Sequence, residues 1–158
     1  MISHIEAIRD LWRTRRARSA VFVALRPFEA SLQQAGEEDP QSFDSAYLIG
    51  FLLASVSGVA RNASPALGTE GIGAVQLEIC ARLTGLPQAM LAERMVSLSL
   101  GADAEFVRGC SDAVDFTAAV TAAAVDGGDV GSPSPAAQQA QALWERFVER
   151  WRSGALEN

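Results

Sequence analysis

The residues of this chain that could do chemistry are few and scattered. The only histidine is His4, in the first turn of a terminal helix, where a ring is solvated rather than held as a base. The two cysteines, Cys80 and Cys110, fall on apolar helix faces, which makes them inert thiols rather than thiolates. All thirteen cationic side chains are arginine. The absence of lysine removes Schiff-base and P-loop chemistry. No G-x-S-x-G turn offers a nucleophile. Glu105, Asp112 and Asp115 share one side of a helix and could hold a hard cation. Arg108 sits between them at i+3 and i+4 spacing, where it neutralises them. The pattern therefore predicts a non-catalytic protein, with no metal site and no cofactor.

Three other groups of residues suit contact rather than catalysis. Trp144, Phe147 and Trp151 form an aromatic stripe near the end of the chain. Such a stripe either docks on its own core or is presented to a partner groove. Gly50, Ala54 and Gly58 recur every four residues. Small residues so spaced let another backbone approach, inside the monomer or across a homodimer seam. Arg9, Arg13 and Arg16 line one stripe of the first helix. No aromatic ring is interleaved on that stripe to stack bases, so an acidic protein partner fits better than nucleic acid. Trp144, Phe147 and Trp151 are the expected contact residues, with Arg13 and Arg16 as electrostatic guides.

Residues 79–91, ICARLTGLPQAML, carry a small residue, a turn glycine and a packing residue at Ala81, Gly85 and Leu91. This stretch, within residues 77–96, resembles the helix-turn-helix of winged-helix transcription regulators. The resemblance implies a recognition helix presenting Gln88 and Arg94 to DNA, with Glu93 beside them. That set is poor in the arginines that normally contact phosphates and guanine edges, and no β-wing follows. DNA binding is therefore the alternative reading.

The elements that must position these residues are all helical. Apolar residues make up 49% of the 158-residue chain and charged residues 20%, a globular composition with net charge −6. An acidic surface starts at a disadvantage against nucleic acid and anionic membranes. A first helix is expected from a Ser3–Glu6 capping box, through Ile5, Ile8, Leu11 and Trp12, to a kink at Pro27 and an end at Gly36. The second, about 44–61, is apolar on every side and belongs at the centre of a bundle. Its uncharged run, Ser45 to Ala60, contains three serines and two glycines and falls short of the roughly 17–25 apolar residues of a membrane span. Further helices are expected after Thr69, from Pro87, and over about 103–125 with Phe106, Cys110, Val114 and Ala118 inward. A Gly/Ser/Pro linker at 127–135 then leads to the last helix.

The expected architecture is all-α: a single compact bundle of about six helices. Residues 1–126 form the helical core domain, 127–135 the linker, and 136–158 a C-terminal amphipathic helix docked on the core or on a partner. With charged residues breaking the N-terminal stretch, no signal peptide is read, and the expected location is the cytoplasm. The expected function is protein–protein interaction, as an adaptor, accessory or chaperone-like factor, with a homodimer among the candidate assemblies.

Overall fold

The computed structural model describes residues 4–126 and 132–155. Among them are six α-helices and no strand: α1 (His4–Glu38), α2 (Ala46–Ala63), α3 (Thr69–Thr84), α4 (Gln88–Leu100), α5 (Ala104–Asp126) and α6 (Pro135–Ala155). A 3₁₀ turn, Pro40–Asp44, joins α1 to α2. The glycine-rich part of the expected linker, 127–131, and Ser3 of the expected capping box lie outside the described residues.

The centre of the bundle is α2, capped by Ser45, whose Oγ accepts from the Leu48 N–H at 3.4 Å. Leu48, Ile49, Phe51, Leu52 and Val56 are all fully or nearly fully buried. Four faces of an apolar helix need four neighbours, and α1, α3, α5 and α6 supply them. By length and composition α2 could cross a membrane, but here it is the core helix.

Helix α1 differs most from expectation. It is unbroken over 35 residues, with Pro27 inside it. Proline removes one N–H, which strands the carbonyl of Val23. Val23 and Pro27 are both exposed, so water can serve that carbonyl and the helix continues. Gly36 does not end it. Phe43 of the 3₁₀ turn lies so close over Gly36 that a Cβ there would collide with the ring. The face that α1 buries is Ala17, Val21, Leu25, Phe28 and Leu32. The expected stripe of Ile5, Ile8, Leu11 and Trp12 is not part of it.

Along that buried face α1 packs against α3. Arg18 pairs with Glu78 at 2.9 Å, and Arg82 stacks 4.2 Å from the centroid of the Phe22 ring while reaching Glu29 at 3.7 Å. Glu78 and Arg82, four residues apart on α3, thus pair across to α1 rather than with each other. Helix α3 ends at Gly85, whose φ of 71° is left-handed and whose N–H closes on Ala81 O at 2.8 Å. Helix α4 is held mainly by Leu91 and Leu98. In α5 the inward residues are Gly109, Ala113, Phe116, Thr117 and Val120, so the expected register through Val114 and Ala118 is corrected. Small residues face α2 because the two helices cross closely, and Val114 is turned out to 66% exposure.

Candidate interaction site

The aromatic stripe of α6 lies inside this chain. Trp144, Phe147 and Trp151 are each 2% exposed. Ser134 caps the helix, its Oγ accepting from the Ala137 N–H at 3.2 Å, and Pro135 takes the first position, where a missing N–H costs nothing. The amphipathic stripe then drops onto α1, α2 and α5. The Trp144 Nε1–H donates to Ser31 Oγ at 3.1 Å, and the Trp151 Nε1–H donates to the Ser42 carbonyl at 3.0 Å. Phe147 stacks on Phe51 with ring centroids 3.8 Å apart. The expectation that these three rings form a partner surface is therefore corrected. Their faces are packed and their N–H groups satisfied, so α6 docks on its own core.

The small-residue stripe of α2 is likewise used within the monomer. A Cβ on Gly50 would stand 2.2 Å from the Phe106 carbonyl oxygen, and one on Gly109 of α5 would stand 2.1 Å from the Tyr47 carbonyl oxygen. Gly58 faces Thr117. Gly50 and Gly58 thus serve the α2–α5 crossing, and Ala54 packs partly buried against the same core.

Where α5 and α6 diverge there is an open cleft of about 130 Å³, lined by Tyr47, Ser111, Asp112, Asp115, Arg146 and Arg150. The Tyr47 O–H donates to Asp112 Oδ2 at 2.8 Å, and the Arg150 guanidinium donates to the same oxygen. Burial pushes the Asp112 carboxyl up, but the hydrogen bonds from Arg150 and Tyr47, then the charges of Arg150 and Arg108, outweigh it and hold it below the usual carboxylate range. Burial, then the Asp112 contact, pushes the Tyr47 phenol well above its ordinary value. The Asp112 carboxylate is thus held ionised and the Tyr47 phenol protonated, each bonded to the other. The trio clasps α6 to α2 and α5.

That clasp sets a pH dependence. A carboxyl whose folded pKa is depressed contributes stability that is fully present above its unfolded value and lost as pH falls through the folded one. Thermal melting of the wild-type chain should fall as pH drops below the ordinary carboxylate range. An Asp112→Asn chain should melt lower at neutral pH and show a flatter acid limb; equal slopes for both chains would show that Asp112 contributes no linkage.

The remaining sequence candidates are disposed separately. Gln88 is exposed at the start of α4. Arg94 is drawn back to the start of α2, its Nε 2.8 Å from Asp44 Oδ1 and its NH2 donating to the Asp44 carbonyl at 2.9 Å. The structure does not bring Gln88 and Arg94 together on one face: six residues of α-helix turn them roughly 120° apart. Cys80 is buried, which pushes its thiol up to about 12, and burial also raises Cys110. Asp112 takes Arg150 rather than Arg108, whose partner is Glu105 at 3.7 Å. No group of three metal-binding side chains gathers among the described residues.

A concentrated apolar surface lies at the N-terminal end of α1. Every residue from Ile5 to Trp12 is exposed. Ile5 is 63%, Ile8 58%, Leu11 74% and Trp12 66% exposed. These four side chains fall within an arc of roughly 120°, and the core-facing residues of the same helix point about half a turn away. The arm extends past the start of α3, and its apolar face is left uncovered by the described residues.

No family model, curated protein or solved structure matches the chain.

The expected guides, Arg13 and Arg16, are on this arm. Arg13 pairs with Asp10 at 3.0 Å, and Arg16 is exposed. Five arginines against Glu6 and Asp10 give residues 5–18 a charge of +3, which leaves −9 on the rest of the chain. A helical arm with little tertiary packing is marginal in water. Burying four large apolar side chains is worth about 1.5–3 kcal/mol each. The arm thus combines unspent apolar surface with a charge opposite to that of the body. The sequence held a signal for it: two apolar runs on one helix, out of phase by half a turn, cannot face the same core.

Proposed function

We propose that this is a non-catalytic protein that acts by docking, with the N-terminal arm of α1 as its contact element. The observation that carries the reading is the exposure of Ile5, Ile8, Leu11 and Trp12, 58–74% each, on a helix whose other half is core. Large exposed apolar faces flanked by charge mark contact sites more often than bare surface. Arg9, Arg13 and Arg16 border the face and give it a preference for an acidic counterpart. The cleft at Asp112 is read as a structural clasp, since Tyr47, Asp112 and Arg150 are bonded to one another. The buried stripe of α6 holds the body on which the arm is mounted.

The test is affinity capture from the native host with the wild-type chain and with an Ile8→Glu/Trp12→Glu chain. Both residues are exposed, so melting should change by no more than about 0.5 kcal/mol per substitution. The expected result is loss of the captured partners on substitution. The same partners retained by both chains, at equal melting temperature, would overturn the reading.

A further inference from the structure

The geometry points to a second copy of this chain as the occupant of the arm: the arm of one protomer lies along the outward face of α5 in the other. This rests on the reading of the arm as a docking element and names its partner. A second uncovered apolar stripe exists in this molecule, on α5. Val107, Val114 and Val125 are 55%, 66% and 81% exposed, and Ser111 and Ala118 between them are exposed as well. Positions 107, 111, 114 and 118 step by four, three and four, the spacing of a helix–helix seam. Ile5, Ile8 and Trp12 step by three and four, the same seam on the arm. One side offers large side chains and the other small ones, so knobs meet shallow holes.

Charge selects this pairing over the alternatives. Helix α5 carries Glu105, Asp112, Asp115 and Asp126 against Arg108, a net −3, while residues 5–18 carry +3. Arg13 is paired to Asp10 and Arg18 to Glu78, so that Arg9, Arg15 and Arg16 supply the arm's side of the attraction. Glu105 is paired with Arg108 and Asp112 with Arg150, so Asp115 and Asp126 provide the pull. Arm against arm would set +3 against +3. An anionic lipid surface would attract the arm but repel the −9 remainder and leave the α5 valines in water. The arm cannot reach its own α5, because α1 is one unbroken helix. Exchange between two copies covers both stripes in each, as twofold symmetry allows.

Sedimentation equilibrium of the full chain tests the proposal, with Trp12→Asp and Val114→Asp chains beside it. The wild type should dimerise, and each substitution should weaken the dimer by about tenfold or more, since each buries a charge in the seam. Circular dichroism should show both variants folded. Mixing the two variants should restore part of the association, because one intact arm then meets one intact α5. A monomeric wild type would overturn the proposal, as would a dimer indifferent to Val114→Asp, which would indicate arm–arm pairing. Co-sedimentation of a monomeric chain with phosphatidylserine vesicles, lost in Trp12→Asp, would overturn it in favour of a lipid surface. If the chain is monomeric yet host capture still depends on Ile8 and Trp12, the arm remains a docking element and only the self-association fails.

Discussion

Trp144→Ala should destabilise the fold by about 3–5 kcal/mol, the range for removing a large buried ring. The indole is 2% exposed and sits among Phe28, Phe51, Phe116 and Phe147, with ring centroids 4.9–6.1 Å away. Four rings would lose a neighbour at once, and none of the four can fill the gap without losing its contact with another. The change also leaves the Ser31 hydroxyl without the indole N–H that donates to it. A domain of this size is typically stable by about 5–15 kcal/mol, so the loss removes a large part of the margin. Melting followed by near-ultraviolet circular dichroism should drop by about 10 °C. Trp12→Ala is the matched control: the same residue type, 66% exposed on the single chain, should leave melting nearly unchanged at concentrations where the chain is monomeric. If both tryptophans proved equally costly, the arm would have to be packed and α6 would not be the main clasp.

These two tryptophans also show how far the sequence could be read. The all-α class, the helix count and the central place of α2 were legible because each rests on local periodicity and on Gly, Pro and Ser signals at helix ends. Gly85 is one example: its left-handed φ is what a glycine after a helix supplies most cheaply. Which way a stripe faces was less legible. Periodicity gives Trp12 and Trp144 the same standing, since each lies on an apolar run at helical spacing. The difference lies in phase and in what stands opposite. The inward run of α1 from Ala17 to Leu32 is out of step with Ile5, Ile8 and Trp12, and that mismatch was readable. The pairing of Tyr47 with Asp112 and Arg150 was not. It spans 65 residues on one side and 38 on the other, and nothing local distinguishes Asp112 from Asp115. The same holds for Arg94, whose partner Asp44 is set by the way α4 returns past the start of α2.

Adding one methyl group at chosen glycines should produce graded effects that follow what each Cβ would meet. Gly109→Ala and Gly50→Ala come first, because the new atom would stand 2.1 Å from the Tyr47 carbonyl oxygen or 2.2 Å from that of Phe106. Backbone cannot rotate aside, so α2 and α5 must separate along a crossing that carries much of the core. Overpacking of this kind costs about 1–3 kcal/mol, and rigid backbone on both sides puts these two at the top of that range or above it. Gly58→Ala should cost less, since its Cβ meets the Thr117 side chain at 2.4 Å and that side chain can change rotamer. Gly73→Ala has nothing within 4 Å and lies inside α3, so it should stabilise by about 0.5–1 kcal/mol through helix propensity alone. Urea unfolding of the four variants checks the order, and the sign change at Gly73 guards against a general intolerance of substitution. If Gly50→Ala and Gly109→Ala left stability unchanged while altering sedimentation, the glycines would lie between protomers and the α2–α5 crossing described above would be wrong. The arm-exchange dimer requires the opposite pattern: monomer stability should depend on Gly50 and Gly109, and association on Trp12 and Val114. These pairs lie on different faces of the molecule, so their effects should combine additively.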